Sequence, residues 1–470
     1  MMHIRLIIIL IFISTWSCSL DEDPRSQITP DEFFLEDRDA RAAVDAIYYY
    51  INDGNSVYAR YYWLVNALLS DLGTSDNLNP AFSALADFSL SADNPVVESI
   101  WSGLYAGIAK ANYAIQNLDS APISENERIA LLAEARFLRA FFYFDLVRFF
   151  GSVPIVTKVE LDYNQEALPE QSPVDSVNQF IEDDLNYAFD HLPTTANPGR
   201  PTNYAAAAML CKYFLTNKNY SRAAQASRYI LQGSFSLQND YASLFKNNSQ
   251  NNTEFIWSVN LNSANGADVN LLTLPRGLGG RSRLLPIPEF YADFNALDRR
   301  KTVTFLTSFV DNNGNTVEVN PHVRKYYDPS AETIIGHSPV DFPLIRFADI
   351  LLLHAEALNA LRNGTSAEAL GAINLVRARA RFDGTTALDI LPDLGKMNKE
   401  DFAEAILLER KRELGWEGHR WFDLVRFNKL NEKVLIAKPE ISVSDKHNLL
   451  PIPNSEITLN PKLNQNPGYE

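Results

Sequence analysis

Cysteine is scarce in this sequence, and the common signatures of enzyme chemistry are missing. Only 2 of the 470 residues are cysteine, which excludes a disulfide framework and a cysteine-rich zinc site. The sequence also lacks the His-Glu-x-x-His, Gly-x-Ser-x-Gly and Gly-Lys-Ser/Thr motifs of zinc peptidases, serine hydrolases and phosphate-binding loops. We therefore predict no catalytic residue, no metal and no cofactor. Cys211 lies in an alanine-rich segment and is predicted to be a small buried residue.

Positive charge is also in short supply. The 42 lysines and arginines face 58 aspartates and glutamates, so the formal net charge is -16. Nucleic acids and anionic membrane surfaces attract basic patches, so this balance argues against a nucleic-acid partner. The hydrophobic content of 46% and charged content of 21% are those of an ordinary globular protein with a large core.

No hydrophobic run is long enough to cross a bilayer. The apolar run Leu6–Ile13 is far shorter than the ~20 residues that a membrane helix needs. It follows a short segment with one arginine and precedes small and polar residues, which is the layout of an export signal. We predict that residues 1–17 are a signal peptide and that the mature chain is 18–470.

The end of this signal resembles the lipoprotein box of bacteria. A small residue directly precedes Cys18, although Trp16 departs from the usual pattern. The resemblance implies that Cys18 is lipidated and carries acyl chains, such as palmitate, that anchor the protein stably in a membrane. The acidic run Ser19–Asp23 resembles the surface-export tag of lipoproteins in the Bacteroides group. The alternative is an ordinary secretory signal followed by a chance cysteine.

Most of the mature chain shows helical periodicity. A first helix is predicted from Thr29 to about Ile51, and a second, aromatic-rich helix over Tyr58–Leu69. Asn94-Pro95 opens one amphipathic helix, and the capping box Ser124-Glu-Asn-Glu127 opens a longer one that runs to Phe150. The segments 202–232 and 344–380 each read as a helical pair. The first of these pairs is about 30 residues long and resembles a tetratricopeptide hairpin.

The centre of the chain is different. Residues 254–259 are strand-like, residues 262–283 form a loop rich in Gly, Asn and Arg, and residues 302–319 predict a hairpin with an Asn-Gly turn. The predicted fold class is mainly α, a tetratricopeptide-like helical repeat scaffold with an irregular loop and short-β insertion. The scaffold is predicted over about 29–232 and 341–430, and the insertion over about 233–340. Residues 70–94 are predicted to form a polar loop.

One hexapeptide occurs twice. The sequence Phe-Asp-Leu-Val-Arg-Phe stands at Phe144–Phe149 and again at Phe422–Phe427. Leu-Leu-Pro-Ile-Pro also occurs twice, but at a different offset, so we reject a whole-domain duplication. The glutamates at 409 and 413 could indicate a glycosidase pair. Neighbouring arginines and a lysine would keep both ionised, whereas glycoside hydrolysis needs one raised pKa, so we predict a structural role.

Several longer motifs are distinctive in combination. They are Glu134-Ala-Arg-Phe-Leu-Arg-Ala140, Ile345 to Ala357, Asn374-Leu-Val-Arg-Ala-Arg379, Glu409 to Arg426, and Pro451-Ile-Pro453 with Asn460 to Tyr469. Together they resemble the SusD/RagB family of nutrient-binding lipoproteins. The resemblance implies a helical fold with tetratricopeptide-like pairs and a lipid-anchored position on the outer membrane, facing the cell exterior. It also implies a SusC-like TonB-dependent transporter as partner. The implied ligands are oligosaccharides or polysaccharides or, in the RagB branch, peptides.

Ligand residues are predicted from chemistry, because sugar capture favours exposed aromatic faces and planar polar groups on loops. The predicted ligand-binding residues are Tyr61, Trp63, Asp71, Asn77, Phe82, Arg276 and Arg281. The alternative for Tyr61 and Trp63 is core packing on the second helix.

Four functions remain open from the sequence. The leading hypothesis is a surface lipoprotein that binds a glycan and delivers it to a transporter without chemistry of its own. The others are a peptide-binding uptake lipoprotein, an adaptor whose helical repeats bind protein only, and a surface glycosidase. The glycosidase is disfavoured because no acid/base pair is evident.

Overall fold

The structure is a computed structural model of the chain. It describes residue 34 and residues 36–470, apart from 55, 159–167, 248, 250–251, 262–265, 331–337 and 383. The predicted signal peptide, Cys18 and the first residues of the predicted first helix lie outside the described residues. Within these ranges, no helix combines the length and the apolar character needed to cross a bilayer.

Helices dominate the chain. The first nine are α1 (Asp37–Asp45), α2 (Tyr49–Asn52), α3 (Tyr62–Leu68), α4 (Pro80–Ala86), α5 (Pro95–Leu118), α6 (Glu125–Phe150), α7 (Val174–His191), α8 (Asn203–Thr216) and α9 (Tyr220–Leu231). The rest are α10 (Val269–Thr273), α11 (Pro288–Ala292), α12 (Arg299–Thr304), α13 (Phe347–Arg362), α14 (Ala367–Ala380), α15 (Lys399–Leu414), α16 (Arg420–Arg426), α17 (Leu430–Ala437) and α18 (Asn454–Leu459).

The predicted caps start the two longest helices. The Asn94 side chain accepts a hydrogen bond from the Val96 N–H at the start of α5, and Ser124 does the same for Glu127 at the start of α6. Helix α6 ends at Gly151, whose positive φ of 73° is one that glycine adopts more readily than other residues. The short capped connection lays α5 and α6 side by side.

The predicted helical pairs form a layered scaffold. Helix α6 packs between α5 and α7, α8 packs on α7 and pairs with α9, and α13 pairs with α14 and contacts α15. Helix α9 packs directly on α13, where the Ser227 Oγ lies 2.8 Å from the His354 Nδ1. The two predicted pairs are therefore neighbours in space although the insertion separates them in sequence. These observations confirm the predicted fold class, while the exact boundaries of scaffold and insertion stay a prediction.

The strands are short and all pair antiparallel. They are β1 (Gly73–Ser75), β2 (Phe255–Val259), β3 (Leu284–Pro286), β4 (Phe305–Val310), β5 (Thr316–Val323) and β6 (Phe342–Arg346). Among the described residues they form three two-stranded sheets, β1 with β3, β2 with β6 and β4 with β5. The hairpin β4–β5 turns at the predicted Asn-Gly position.

Residues 70–94 were predicted as an irregular loop, and this prediction was wrong. The segment contains strand β1 and helix α4. Helix α4 forms because Asn79 caps it, Pro80 occupies its first turn, and Phe82 and Leu85 bury their side chains. The predicted first helix is also interrupted, since a 3-10 turn at Ala46–Tyr48 separates α1 from α2.

A buried network of ion pairs joins the insertion to the scaffold. We call it the Glu413 network, and its members are Glu254, Asp298, Arg300, Lys325, Arg346, Arg377, Arg379, Glu409, Glu413 and Glu417. The Glu413 carboxylate accepts hydrogen bonds from Arg346 at 2.6 Å, Arg379 at 2.5 Å and Arg300 at 3.2 Å. Burial alone would raise the pKa of Glu413, but these three guanidinium groups hold it well below its usual range. Glu409 and Glu413 are therefore structural residues of the Glu413 network.

The two copies of the hexapeptide occupy similar and adjacent places. Asp145 pairs with Arg148 on α6, and Asp423 pairs with Arg426 on α16, both at i,i+3 spacing. The Arg148 guanidinium lies 3.8 Å from the centroid of the Phe422 ring, so the two copies also contact each other.

Candidate functional site

Three of the predicted ligand residues are inside the molecule. Trp63 is fully buried on α3, donates a hydrogen bond from Nε1 to the Ala59 carbonyl at 3.1 Å, and packs beside Trp416. Phe82 is buried on α4. A buried ring offers no face to a surface ligand, so Trp63 and Phe82 are packing residues, and for Trp63 the alternative of core packing holds.

Asp71 also belongs to the interior. Its carboxylate accepts two hydrogen bonds from Arg420, at 2.7 and 2.9 Å, and Lys411 pairs with it at 2.9 Å. These cations outweigh the effect of burial and hold the pKa of Asp71 far below its usual range. The prediction that Asp71 contacts the ligand is therefore wrong, because its carboxylate is buried and its oxygens are already bonded to two internal cations.

The other four predicted residues reach the surface. Asn77, Arg276 and Arg281 are exposed, and Tyr61 is half-buried. Tyr61 ends a π-helical turn, Val57–Tyr61, a rare feature that often occurs at functional sites.

Contacts connect Tyr61 to the segment that carries the two arginines. The Arg60 guanidinium lies 5.5 Å from the centroid of the Tyr61 ring, and its Nε is 3.2 Å from an Asp268 carboxylate oxygen. Asp268 directly precedes helix α10, which leads into residues 274–283. We call residues 274–283 the basic loop, because its sequence Leu-Pro-Arg-Gly-Leu-Gly-Gly-Arg-Ser-Arg contains three arginines and no acid.

Backbone hydrogen bonds hold the basic loop in one conformation against the end of α10. The Arg281 N–H donates to the Leu271 carbonyl at 2.7 Å, and the Ser282 N–H donates to the Leu274 carbonyl at 3.0 Å. Gly280 lies so close to this turn that a Cβ there would be 2.0 Å from the Leu274 carbonyl oxygen. The loop therefore presents Arg276 and Arg281 from a closed and supported backbone.

The pairing of β1 with β3 brings Asn77 next to this loop. Beyond the last strand pair, the Asp76 N–H donates to the Arg283 carbonyl at 2.9 Å, and Arg283 Nη1 donates back to the Asp76 carboxylate at 2.9 Å. Asn77 and Ser282 both adopt left-handed backbone conformations, with φ of 61° and 50°. Such strained positions concentrate at functional sites, and here two occur at one end of one small sheet.

The hairpin β4–β5 covers the other side of the basic loop. A Cβ on Gly277 would lie 2.4 Å from the Phe309 ring, so this glycine permits close contact with the hairpin. His322 Nε2 lies 3.1 Å from the Ser282 Oγ, and burial lowers the pKa of this histidine. Tyr61, Asn77 and the basic loop thus form one connected surface supported by α10, the β1–β3 sheet and the hairpin. We call it the loop surface.

Sequence reasoning missed the apolar residues around this surface. Leu78 and Val310 are each 63% exposed, and Phe309 is half-buried against Gly277. Leu78 follows Asn77 directly, but in residues 70–94 only Asp71, Asn77 and Phe82 were predicted to bind the ligand. The chemistry of the surface is that of binding, since it combines an aromatic ring, amide and guanidinium groups, and apolar side chains. Within the described ranges, no group of three His, Cys, Asp or Glu residues is arranged to hold a metal ion.

A second concave feature lies on the helical scaffold. A mostly apolar groove of about 440 Å³ runs between α7 and the α8–α9 pair, and Phe189 and Tyr229 line it. Arg222 and Arg228 also line it, but they are ion-paired with Glu182 and Glu368. The groove therefore offers an apolar surface and two arginines that already have partners.

Comparison with known proteins connects this architecture to one group. Residues 306–469 match a family model described as the SusD family, and residues 20–215 match one described as starch-binding and associating with the outer membrane. The chain is 29% identical to SusD-like protein P2 of Formosa agariphila, and the match covers 99% of each protein.

Solved structures share the fold. A SusD homolog from Bacteroides thetaiotaomicron superimposes with a TM-score of 0.82 at 24% identity, over 94% of this chain and 99% of that one. A laminarin-binding SusD-like protein superimposes with a TM-score of 0.78 at 26% identity, over 92% of this chain and 100% of that one. The fold is thus that of a helical-repeat protein whose loops carry the candidate site. The chain belongs to the SusD/RagB family, as its sequence motifs predicted.

Proposed function

We propose that this protein is a lipid-anchored protein of the cell surface that binds an oligosaccharide or polysaccharide at the loop surface. It delivers this glycan to a SusC-like TonB-dependent transporter in the outer membrane and performs no catalysis. The observation that carries the proposal is the loop surface itself. Contacts through Arg60 and Asp268, and the pairing of β1 with β3, connect the segments that carry Tyr61, Asn77, Arg276 and Arg281. An aromatic face and planar polar groups are the chemistry that sugars require.

The similarity to known proteins supports the same proposal. One matching family model is described as starch-binding and associating with the outer membrane, and one structural relative is a laminarin-binding protein. The absence of chemistry is supported by the position of Glu409 and Glu413, the acid pair considered from the sequence. Both are buried among arginines, away from solvent.

Affinity electrophoresis of the full chain on a panel of polysaccharides tests glycan binding. We expect at least one polysaccharide to retard the protein, and Tyr61→Ala to weaken that retardation about 3- to 10-fold through loss of stacking. Tyr49→Ala is the matched control, because Tyr49 is 62% exposed on α2 and is not part of the loop surface. Equal loss in both variants would contradict the assignment of the site. Release of sugar on incubation would contradict the absence of catalysis.

A peptide ligand is the alternative, and the apolar groove between α7 and the α8–α9 pair is the observation that favours it. Titration calorimetry with a peptide mixture, run beside the electrophoresis, distinguishes the two ligands. Heat with peptides, abolished by Tyr229→Ala, together with no retardation by any polysaccharide, would replace the glycan by a peptide.

The anchor and the transporter have separate tests. Mass spectrometry of the mature N-terminus is expected to find acyl chains on Cys18, and an unmodified cysteine would contradict the anchor. Affinity purification from the native membrane is expected to recover a TonB-dependent barrel in a stable complex. Its absence would leave a glycan-binding protein without the delivery step.

A further inference from the structure

We propose that the glycan is anionic, with carboxylate or sulfate groups along its chain, and that Arg276 and Arg281 bind these groups. This inference rests on the proposed function and adds the class of ligand to it. Its basis is a local excess of positive charge on the loop surface of an otherwise acidic protein.

The basic loop carries positive charge that nothing in the described chain neutralises. Arg283 pairs with Asp76 at 2.9 Å, but the side chains of Arg276 and Arg281 have neither an ion pair nor a hydrogen bond among the described residues. This is unusual for this protein. In the described ranges, the only other arginines in this condition are Arg299, Arg324 and Arg362.

Of the acidic side chains close to this region along the chain, Glu289 is exposed on α11 and forms no ion pair with a described residue, and the others are engaged or point away. Asp268 pairs with Arg60, and the Asp311 carboxylate accepts hydrogen bonds from the Asn313 and Asn315 N–H groups of its own turn. Glu318 lies on β5 beside Val317, which pairs with Phe309 across the hairpin. Side chains alternate along a strand, so Glu318 points to the face opposite the one where Phe309 contacts Gly277. Two positive charges therefore remain on the loop.

A neutral sugar does not call for this arrangement. Its hydroxyls form hydrogen bonds with uncharged polar groups as well as with guanidinium groups, whereas carboxylate and sulfate oxygens match a guanidinium group in charge as well as in its two-pronged hydrogen bonding. The formal net charge of -16 also repels an anionic polymer at long range. A protein with this charge needs local cations to hold such a polymer, and the loop surface supplies them.

The cations are also positioned in advance. The N–H groups of Arg281 and Ser282 donate to the Leu271 and Leu274 carbonyls, and Gly280 and Gly277 are packed against the Leu274 backbone and the Phe309 ring. A loop fixed in this way loses less conformational freedom on binding than a mobile one, so more of the electrostatic attraction appears as affinity.

The test compares polysaccharides that differ only in charge. The full chain is run in affinity gels that contain polygalacturonate or its methyl ester, a sulfated galactan or its desulfated form, and a set of neutral glucans. We expect retardation by at least one anionic polymer, at least about tenfold weaker affinity for its neutral counterpart, and a steep decrease with salt.

Matched arginine variants locate the effect. Arg276→Ala with Arg281→Ala should reduce the affinity for the anionic polymer by about tenfold or more. Arg299→Ala with Arg362→Ala should leave it unchanged, because these arginines are equally exposed and unpaired but lie outside the basic loop. Arg276→Lys with Arg281→Lys should restore part of the binding, since charge is kept and the planar fork is lost.

Each other result has a definite meaning. Equal binding of charged and neutral forms, insensitive to the loop arginines, would overturn the anionic ligand and leave glycan binding intact. No retardation by any polymer would overturn both proposals. Sedimentation of the chain with vesicles of anionic phospholipid, lost in the Arg276→Ala and Arg281→Ala variant, would assign the loop to a membrane surface and overturn the inference.

Discussion

The Glu413 network and the basic loop are both rich in arginine, but the two regions differ in the burial and the ion pairing of these arginines. In the network, Arg300, Arg346 and Arg379 are buried and each contacts at least two carboxylates. In the loop, Arg276 and Arg281 face solvent, and neither forms an ion pair with a residue that the structure describes.

The difference separates two uses of one residue type. A buried guanidinium needs its carboxylates, because burying a charge without a partner is costly. An exposed guanidinium needs none, so it remains available for a ligand. Each of the variants below changes either the buried ion pairs or the loop surface, and leaves the other region intact.

Removal of Glu413 is expected to have the largest effect. Glu413→Ala removes a buried carboxylate that three buried arginines share, and it should lower the free energy of unfolding by about 3–5 kcal/mol. Chemical denaturation followed by circular dichroism measures this change. Glu318→Ala is the control, since this exposed glutamate should shift stability by less than about 0.5 kcal/mol. Similar values for the two variants would show that the network contributes nothing particular.

The same carboxylate predicts a dependence on pH. The pKa of Glu413 is held well below its ordinary value, so its stabilising contribution is present above about pH 4 and is lost as pH falls through the lower folded pKa. The difference in melting temperature between wild type and Glu413→Gln should therefore be large at pH 7 and shrink in strong acid. A difference that grows as pH falls would contradict the sign.

The repeated hexapeptide provides a comparison within one sequence. Burial raises the pKa of Asp145 although Arg148 pairs with it, whereas Arg410 and Arg426 lower the pKa of Asp423 in spite of burial. Asp423→Asn should therefore destabilise by about 2–3 kcal/mol and Asp145→Asn by about 1 kcal/mol or less. Denaturation curves at pH 7 measure both. Equal losses would show that the two surroundings are electrostatically equivalent.

A small effect on stability is expected at the loop surface. Gly277→Ala places a Cβ against the Phe309 ring, which should push the loop and hairpin apart at a cost of about 1 kcal/mol. Glycan affinity should fall, because Arg276 moves with its neighbour. Gly371→Ala is the control, as a Cβ at this helical glycine meets no other atom within 4 Å. Unchanged glycan binding in Gly277→Ala would separate the hairpin from the binding surface.

Local signals in the sequence predicted the local parts of the fold. The caps at Asn94 and Ser124, the alanine-rich pair now seen as α8 and α9, and the Asn-Gly hairpin all depend on residues close together in the chain. The split of the first helix and the helix α4 inside a polar segment were missed, because burial of a few side chains outweighed composition there.

The site was only partly predictable, for a related reason. Arg276, Arg281 and Asn77 are found at the surface because glycine-rich and asparagine-rich loops lie outside. Asp71 sits in an equally polar stretch, yet its partners Arg420 and Lys411 come from the far end of the chain. The pairing of β1 with β3 likewise joins residues that no short motif connects.

The ion pair between Asp71 and Arg420 also bears on how the chain folds. The two residues are 349 positions apart in the sequence. The Asn466 side-chain amide likewise donates a hydrogen bond to the Phe150 carbonyl, 316 positions away. Such distant partners slow folding, since chain entropy is lost before these contacts form. These two contacts cannot form until the C-terminal part of the chain is present, so we expect an incomplete chain to keep this part of its interior open. If the chain is exported as we propose, this open state is the one that crosses a membrane.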